Sequence, residues 1–261
     1  MIPVALTIAG SDPSGGAGIQ ADLKTFSALK VYGMAVATAL TAQNTRGVSG
    51  LMAVPETFLA EQIDSVMTDI VPSAVKTGML LNAANVRVVA ERMKRYAARN
   101  LVVDPVMVSS SGRELLDRDG IAALRRDLLP AALVVMPNVD EARVLSGREI
   151  RTIDDLEQAA RAIHAMGPKF VFAKGGHLEG DAIDVLFDGV TTTRLPSPRL
   201  NATDTHGTGC ILSAALAAHL ARGENVANAA LLAKELVTTA IRNGLRLGSG
   251  RGPCDPLGLR G

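Results

Sequence analysis

The chain has 261 residues, 48% hydrophobic and 20% charged, with a formal net charge of +1. At roughly 150 residues per domain that length fits one large domain or two small ones, and the composition is that of a core-forming protein, which excludes long disorder. A near-neutral balance, 3% aromatic residues and no tryptophan leave no footprint for nucleic acid or an anionic membrane, and no stacking platform for single strands. The apolar run from Met1 to Gly10 lacks a basic leader and reads as a strand rather than a signal peptide. The apolar stretch around residues 133–136 falls far short of a membrane span. Cys210 and Cys254 cannot build a disulfide framework. A cytoplasmic location with no membrane partner is expected.

Short β-branched or apolar runs at residues 4–9, 35–41, 74–77, 101–103, 133–136 and 169–173 predict strands. Between them lie helical patterns. Ile19, Leu23 and Phe26 share one face of the first, and Phe58, Ile63, Val66 and Ile70 more loosely share one of the second. Further helices are predicted over 85–98, 119–129 and 153–166. Residues 184–187 and 190–194, joined by Asp188-Gly189, read as a hairpin with a type I′ turn. Two helices follow, over 209–220 and 226–243, and a Gly/Ser/Arg/Pro loop closes the chain from Gly248 to Pro256. Strand–helix alternation with near-continuously apolar strands predicts an α/β fold: one doubly wound, mainly parallel sheet with helices on both faces, in a single domain over 1–261.

The first glycine-rich turn, Gly10-Ser11-Asp12-Pro13-Ser14-Gly15-Gly16-Ala17-Gly18, contains a formal G-x-G-x-x-A window from Gly16 to Ala21. Six loop residues separate its first glycine from the strand, and the second strand ends without an acidic residue for a ribose, so a nicotinamide dehydrogenase is the losing reading. Asp204-Thr205-His206-Gly207-Thr208-Gly209-Cys210 runs straight into the Ala-rich pattern that begins at Ile211. Glycines at a helix start leave backbone N–H groups facing outward, and with the helix dipole they make an anion site. Cys210 falls in that first turn, where thiol pKa values are ordinarily lowered. P-loop, nucleophile-elbow and zinc-ligand patterns are absent from the sequence. Polar clusters follow three of the strands: Asp104-Pro105, Pro137-Asn138-Val139-Asp140-Glu141 and Lys174-Gly175-Gly176-His177, with Gln43-Asn44 after the second. Each alone reads as turn or cap chemistry. Together, on one edge of a parallel sheet, carboxylates for Mg²⁺, a lysine for phosphate and a helix N-terminus point to phosphoryl transfer.

These motifs, with Thr41-Ala42-Gln43-Asn44-Thr45 and Val75-Lys76-Thr77-Gly78-Met79-Leu80, resemble those of the bacterial hydroxymethylpyrimidine/phosphomethylpyrimidine kinases of thiamine biosynthesis, in the ribokinase-like superfamily, over nearly the whole chain. The resemblance implies ATP-dependent phosphorylation of 4-amino-5-hydroxymethyl-2-methylpyrimidine to its monophosphate and then to the diphosphate. It implies that Gln43 recognises the pyrimidine, with Ala17, Asp22 and Met79 near the ring. It implies that Gly207, Thr208 and Gly209 form the anion hole with Cys210 at the position of the usual aspartate base. Asp104 and Glu141 are then expected near Mg²⁺, and Asn138, Lys174 and Thr205 near the ATP phosphates. A homodimer is likewise implied, and a monovalent cation is a dependence the sequence leaves undecided. The rivals are a pyridoxine/pyridoxal kinase of the same fold and a catalytically silent pyrimidine-binding protein. One departure is the C-terminal loop, which lacks the histidine common in the family and is read as peripheral to the site.

Overall fold

The computed structural model describes residues 2–109 and 112–259. Among the described residues nine strands form one sheet in the order β3-β2-β1-β4-β5-β6-β7-β8-β9. They are β1 Val4–Ser11, β2 Tyr32–Asn44, β3 Gly47–Ala53, β4 Ala74–Thr77, β5 Leu101–Val103, β6 Val134–Val135, β7 Phe170–Ala173, β8 Asp184–Phe187 and β9 Thr192–Leu195. Pairing from β2 through β1 and β4 to β7 is parallel, whereas β3, β8 and β9 add antiparallel edges. The helices are α1 Gly18–Ala28, α2 Glu56–Met67, α3 Ala83–Arg95, α4 Arg118–Ala123, α5 Val139–Ser146, α6 Ile153–His164, α7 Thr208–Ala221 and α8 Val226–Arg242. After α4 the chain continues through a π turn, Leu124–Leu128, and a 3₁₀ turn, Leu129–Ala131. The doubly wound, mainly parallel α/β architecture therefore holds.

The central strands are apolar throughout because both faces are covered. Leu6 and Ile8 of β1 face a core shared with Leu59, Ile63, Val86 and Val89, while Ala5 faces the other way, toward Phe26, Ala214 and Ala215. Small residues on that second face let α7 lie close. Ten consecutive α7 residues from Ile211 to Leu220 are buried, as expected of a helix that is apolar all round.

Four local expectations need correction. In α2 the buried stripe is Leu59, Ile63 and Met67, while Phe58 is exposed and Ile70 lies beyond the helix. The residues 184–195 hairpin is present, but four residues connect its strands. Asp188 Oδ1 accepts from the Val190 and Thr191 N–H groups, so its side chain builds the turn in place of a two-residue type I′ link. Residues 139–146, expected only as a cap region, form α5. Strand β2 runs on to Asn44 and folds back as β3, which two glycines had hidden from the periodicity.

Strand β1 has β2 on one side and β4 on the other, so chain connections leave it in opposite directions. Open α/β sheets bind ligands at the carboxyl ends of strands at such a switch point.

Candidate active site

A cleft of about 1190 Å³ opens at that switch point. Every expected site residue except Asp22 lines it: Gln43, Ala17, Met79, Asp104, Glu141, Asn138, Lys174, Thr205, Gly207, Thr208, Gly209 and Cys210. Asp22 is a correction. It is fully buried beneath the cleft, where Lys76 Nζ donates to both its oxygens at 2.9 and 2.8 Å and Thr7 Oγ1 donates at 2.6 Å. It reaches the cleft through Lys76, which does line it. Burial opposes the charge on Lys76, but the adjoining Asp22 carboxylate outweighs this and holds the ammonium above its ordinary range.

Two glycine turns meet on one wall. Gly207, the N-cap of α7, has φ +84°, and a Cβ there would sit 1.8 Å from the Gly16 carbonyl oxygen. Gly18, at φ +57°, would likewise drive a Cβ to 2.2 Å from the Gly10 carbonyl oxygen. Only glycine permits this approach. Asp12 clasps the turns together, accepting from Ala17 N–H and His206 Nε2 through Oδ2 and from Ser14 through Oδ1. Burial opposes ionisation of Asp12, yet the His206 and Ser14 hydrogen bonds hold its carboxyl below the usual range. His206 is nearly buried, and its Nε2 lies 3.3 Å from Gln43 Nε2.

Helices α3, α5, α6 and α8 each begin with an Asn or Thr side chain capping the first turn, whereas α7, like α1 and α2, has no side-chain cap. Thr208 N–H turns back to Thr205 O at 3.3 Å, and the helix start lines the cleft at Gly209, where a Cβ would lie 3.6 Å from Lys174 Nζ and 3.9 Å from Asp104 Oδ2. An anion bound there would meet the helix dipole and a lysine together. Cys210 departs from expectation: burial pushes its thiol up to about 11, although Lys76 and the Gly18 N–H favour the thiolate.

Lys174 Nζ donates to Asp104 Oδ1 at 2.7 Å and lies 4.0 Å from Glu141 Oε2. Asn138 caps α5 by accepting from Glu141 N–H at 2.9 Å, while Glu141 Oε2 accepts from Asn138 N–H at 2.7 Å. A bridge between Asn138 and Lys174 links β6 to β7, so the ends of both strands present these groups together. Burial pushes the Glu141 carboxyl up to about 7, with Asp104 adding to the rise and Lys174 opposing it. Among the described residues no group of three or more His, Cys, Asp or Glu gathers as a metal site. Two buried carboxylates around one ammonium nevertheless fit Mg²⁺, which takes one or two carboxylates and completes its shell with water and phosphate oxygens.

Sequence reasoning missed Asp12, Lys76, His206 and Arg199 as cleft residues. The first three stand inside quoted motifs, but nothing in the spacing distinguishes them from turn and strand residues. Arg199 sits in a loop with no motif at all; it pins the lysine-bearing loop by donating to the carbonyls of Gly176, Leu178 and Gly180. The C-terminal loop is not peripheral either. Gly250 and Arg251 line the cleft, Arg251 N–H donates to Thr45 O, and His206 N–H donates to Gly252 O.

The whole chain is similar to known proteins. The chain matches the family described as phosphomethylpyrimidine kinase over residues 12–255. It is 50% identical to the hydroxymethylpyrimidine/phosphomethylpyrimidine kinase of Rhizobium meliloti, covering 97% of this chain and 96% of that one. It is 49% identical to the thiamine biosynthesis bifunctional protein ThiED of Geobacter sulfurreducens over 97% of this chain, and spans about half, 52%, of that longer protein. Among solved structures, an ADP complex of Bacillus subtilis pyridoxal kinase superposes with a TM-score of 0.92 at 40% identity, covering 100% of this chain and 99% of that one. By that match and these identities the chain belongs to the phosphomethylpyrimidine kinase family.

Proposed function

We propose that the protein transfers a phosphoryl group from ATP to the hydroxymethyl oxygen of 4-amino-5-hydroxymethyl-2-methylpyrimidine, and a second one to the resulting monophosphate. The observation that carries this reading is the uncapped start of α7 facing the Lys174–Asp104 pair, with Gln43 across the cleft. Phosphoryl transfer asks little covalent work of a protein, so positioning and charge suffice. Gly209 and its neighbours receive the transferring group, Lys174 and Asn138 steady the nucleotide phosphates, and Thr205 borders them. Mg²⁺, held by Asp104 and Glu141 directly or through water, would neutralise charge on the phosphates. Met79 and Ala17 flank the ring, and the Gln43 amide supplies one donor and one acceptor for its aminopyrimidine edge.

The likeness to a pyridoxal kinase at 40% identity supports a second reading, phosphorylation of a hydroxymethyl pyridine. Assaying ATP turnover with Mg²⁺ on the aminopyrimidine and on pyridoxal separates the two. Gln43→Ala should weaken pyrimidine binding by ~1–3 kcal/mol, the cost of unpaired buried polar groups, and leave ATP affinity nearly unchanged. Equal weakening of both ligands in calorimetry would remove Gln43 from the ring site.

A further inference from the structure

A primary amide presents different chemistry at its two ends, and its neighbours decide which end faces which way. Gln43 lies between two of them: Thr41 Oγ1 is 3.3 Å from its Oε1, and His206 Nε2 is 3.3 Å from its Nε2. The Thr41 hydroxyl carries a single proton, and Ser11 O, which can only accept, takes it at 2.8 Å. Toward Gln43, Thr41 therefore has only lone pairs. His206 Nε2 lies 2.9 Å from Asp12 Oδ2, and Asp12 is held in its ionised form by the hydrogen bonds it accepts. An unprotonated Nε2 would set a lone pair against that carboxylate, so Nε2 carries a proton and cannot accept from an amide nitrogen. Both neighbours ask for the same change, a half-turn of the amide. Its nitrogen then donates to Thr41, and its oxygen, in place of a second N–H, faces the Nε2–H that His206 gives to Asp12.

We propose that Asp12, His206 and Thr41 are positioning residues that fix the Gln43 amide with its oxygen on the His206 side, and that this order sets the direction in which an aminopyrimidine lies. The inference rests on the reading that Gln43 meets the pyrimidine. In that substrate the ring nitrogen, the exocyclic amine and the hydroxymethyl group follow one another around the ring. Amide N–H takes the ring nitrogen and amide oxygen takes the amine, so the amine lies on the His206 side. The hydroxymethyl group, next in order, then points onward to Gly207, the residue that follows His206 and opens α7. The opposite amide would send it away from the anion site. A 4-oxo pyrimidine, whose ring N–H donates and whose oxygen accepts, meets two mismatches in this arrangement.

Two measurements test the proposal. In the ligand-free wild-type protein, long-range ¹H–¹⁵N correlation should show His206 Nε2 protonated, and the Gln43 amide protons should give contacts to the Thr41 methyl group. An unprotonated Nε2, or amide protons nearest His206, would overturn it without any variant having to fold. In steady-state kinetics and competition binding, His206→Ala should lower the preference for the 4-amino over the 4-oxo pyrimidine by roughly tenfold or more, through the pyrimidine KM, with the KM for ATP unchanged. An unchanged preference, or an equal loss toward both pyrimidines and ATP, would reduce His206 to a packing role. A wild-type protein that phosphorylates no pyrimidine would refute the proposed function, while the amide orientation would still be decided by the spectra.

Discussion

Cys210 shows how burial can override a helix terminus. Its place on the first turn of α7, the Gly18 N–H and Lys76 all favour the thiolate, but desolvation is the largest influence and takes the thiol to about 11. At neutral pH the side chain is a thiol. Its alkylation by iodoacetamide should rise about tenfold per pH unit through the neutral and mildly alkaline range without levelling, because only the thiolate reacts. A plateau below about pH 8 would show that the dipole and Lys76 win after all. A thiol that merely lines the site also predicts that Cys210→Ser keeps its kcat within a few-fold. A loss of ~10²–10⁴ would instead mark a general base generated when substrates bind.

At the scale of elements, the site is made of turns and helix starts. Gly207→Ala forces a side chain into left-handed backbone and onto the Gly16 carbonyl, so its melting temperature should fall by several degrees. Gly209→Ala meets only ordinary contacts with Lys174 and Asp104, so it should melt like the parent yet lose turnover by placing a methyl group where the phosphoryl passes. Full activity in Gly209→Ala would remove the start of α7 from the reaction. The α5 capping box makes a second prediction. Glu141 titrates near 7 in the folded chain against an ordinary 4.5, so between those values the folded state holds a proton that the unfolded state has released. Its contribution to stability therefore declines as pH rises through that window. Glu141→Gln keeps an acceptor for the Asn138 N–H, so its melting temperature relative to the parent should climb from about pH 5 to about pH 8. A constant difference would mean that Glu141 titrates as an ordinary exposed carboxylate.

For the whole molecule, the continuous nine-stranded sheet supports a single domain, which one cooperative unfolding transition would test. A homodimer remains our proposal, supported by the edge hairpin, where Leu40 and Met52 pair with both side chains exposed. Light scattering should give twice the 27.2 kDa of one chain, and the mass of one chain would reject it. Among the described residues, no helix is long and apolar enough to cross a membrane.

The alternation of apolar strands with helical patterns was enough to determine the layered α/β fold, because a strand buried on both faces leaves a continuous apolar run in the chain itself. The first glycine turn, Lys174, Asp104 and the cluster from Asn138 to Glu141 were also legible, each lying just past a strand and so on one edge of a parallel sheet, and Gly207 to Gly209 were legible as the start of an apolar helix. Tertiary structure alone decided the rest. Asp12 and His206 are 194 positions apart, and their pairing exists only because two glycine turns pack carbonyl against α-carbon. Asp22 belongs to Lys76 because α1 lays it over the neighbouring Thr7 of β1 and Lys76 of β4, and Cys210 is a thiol because desolvation outweighs the charges that favour the thiolate. Periodicity records which face of an element is buried. It carries no information about which distant side chain shares that burial, and hydrogen bonds, ion pairs and pKa values depend on that partner.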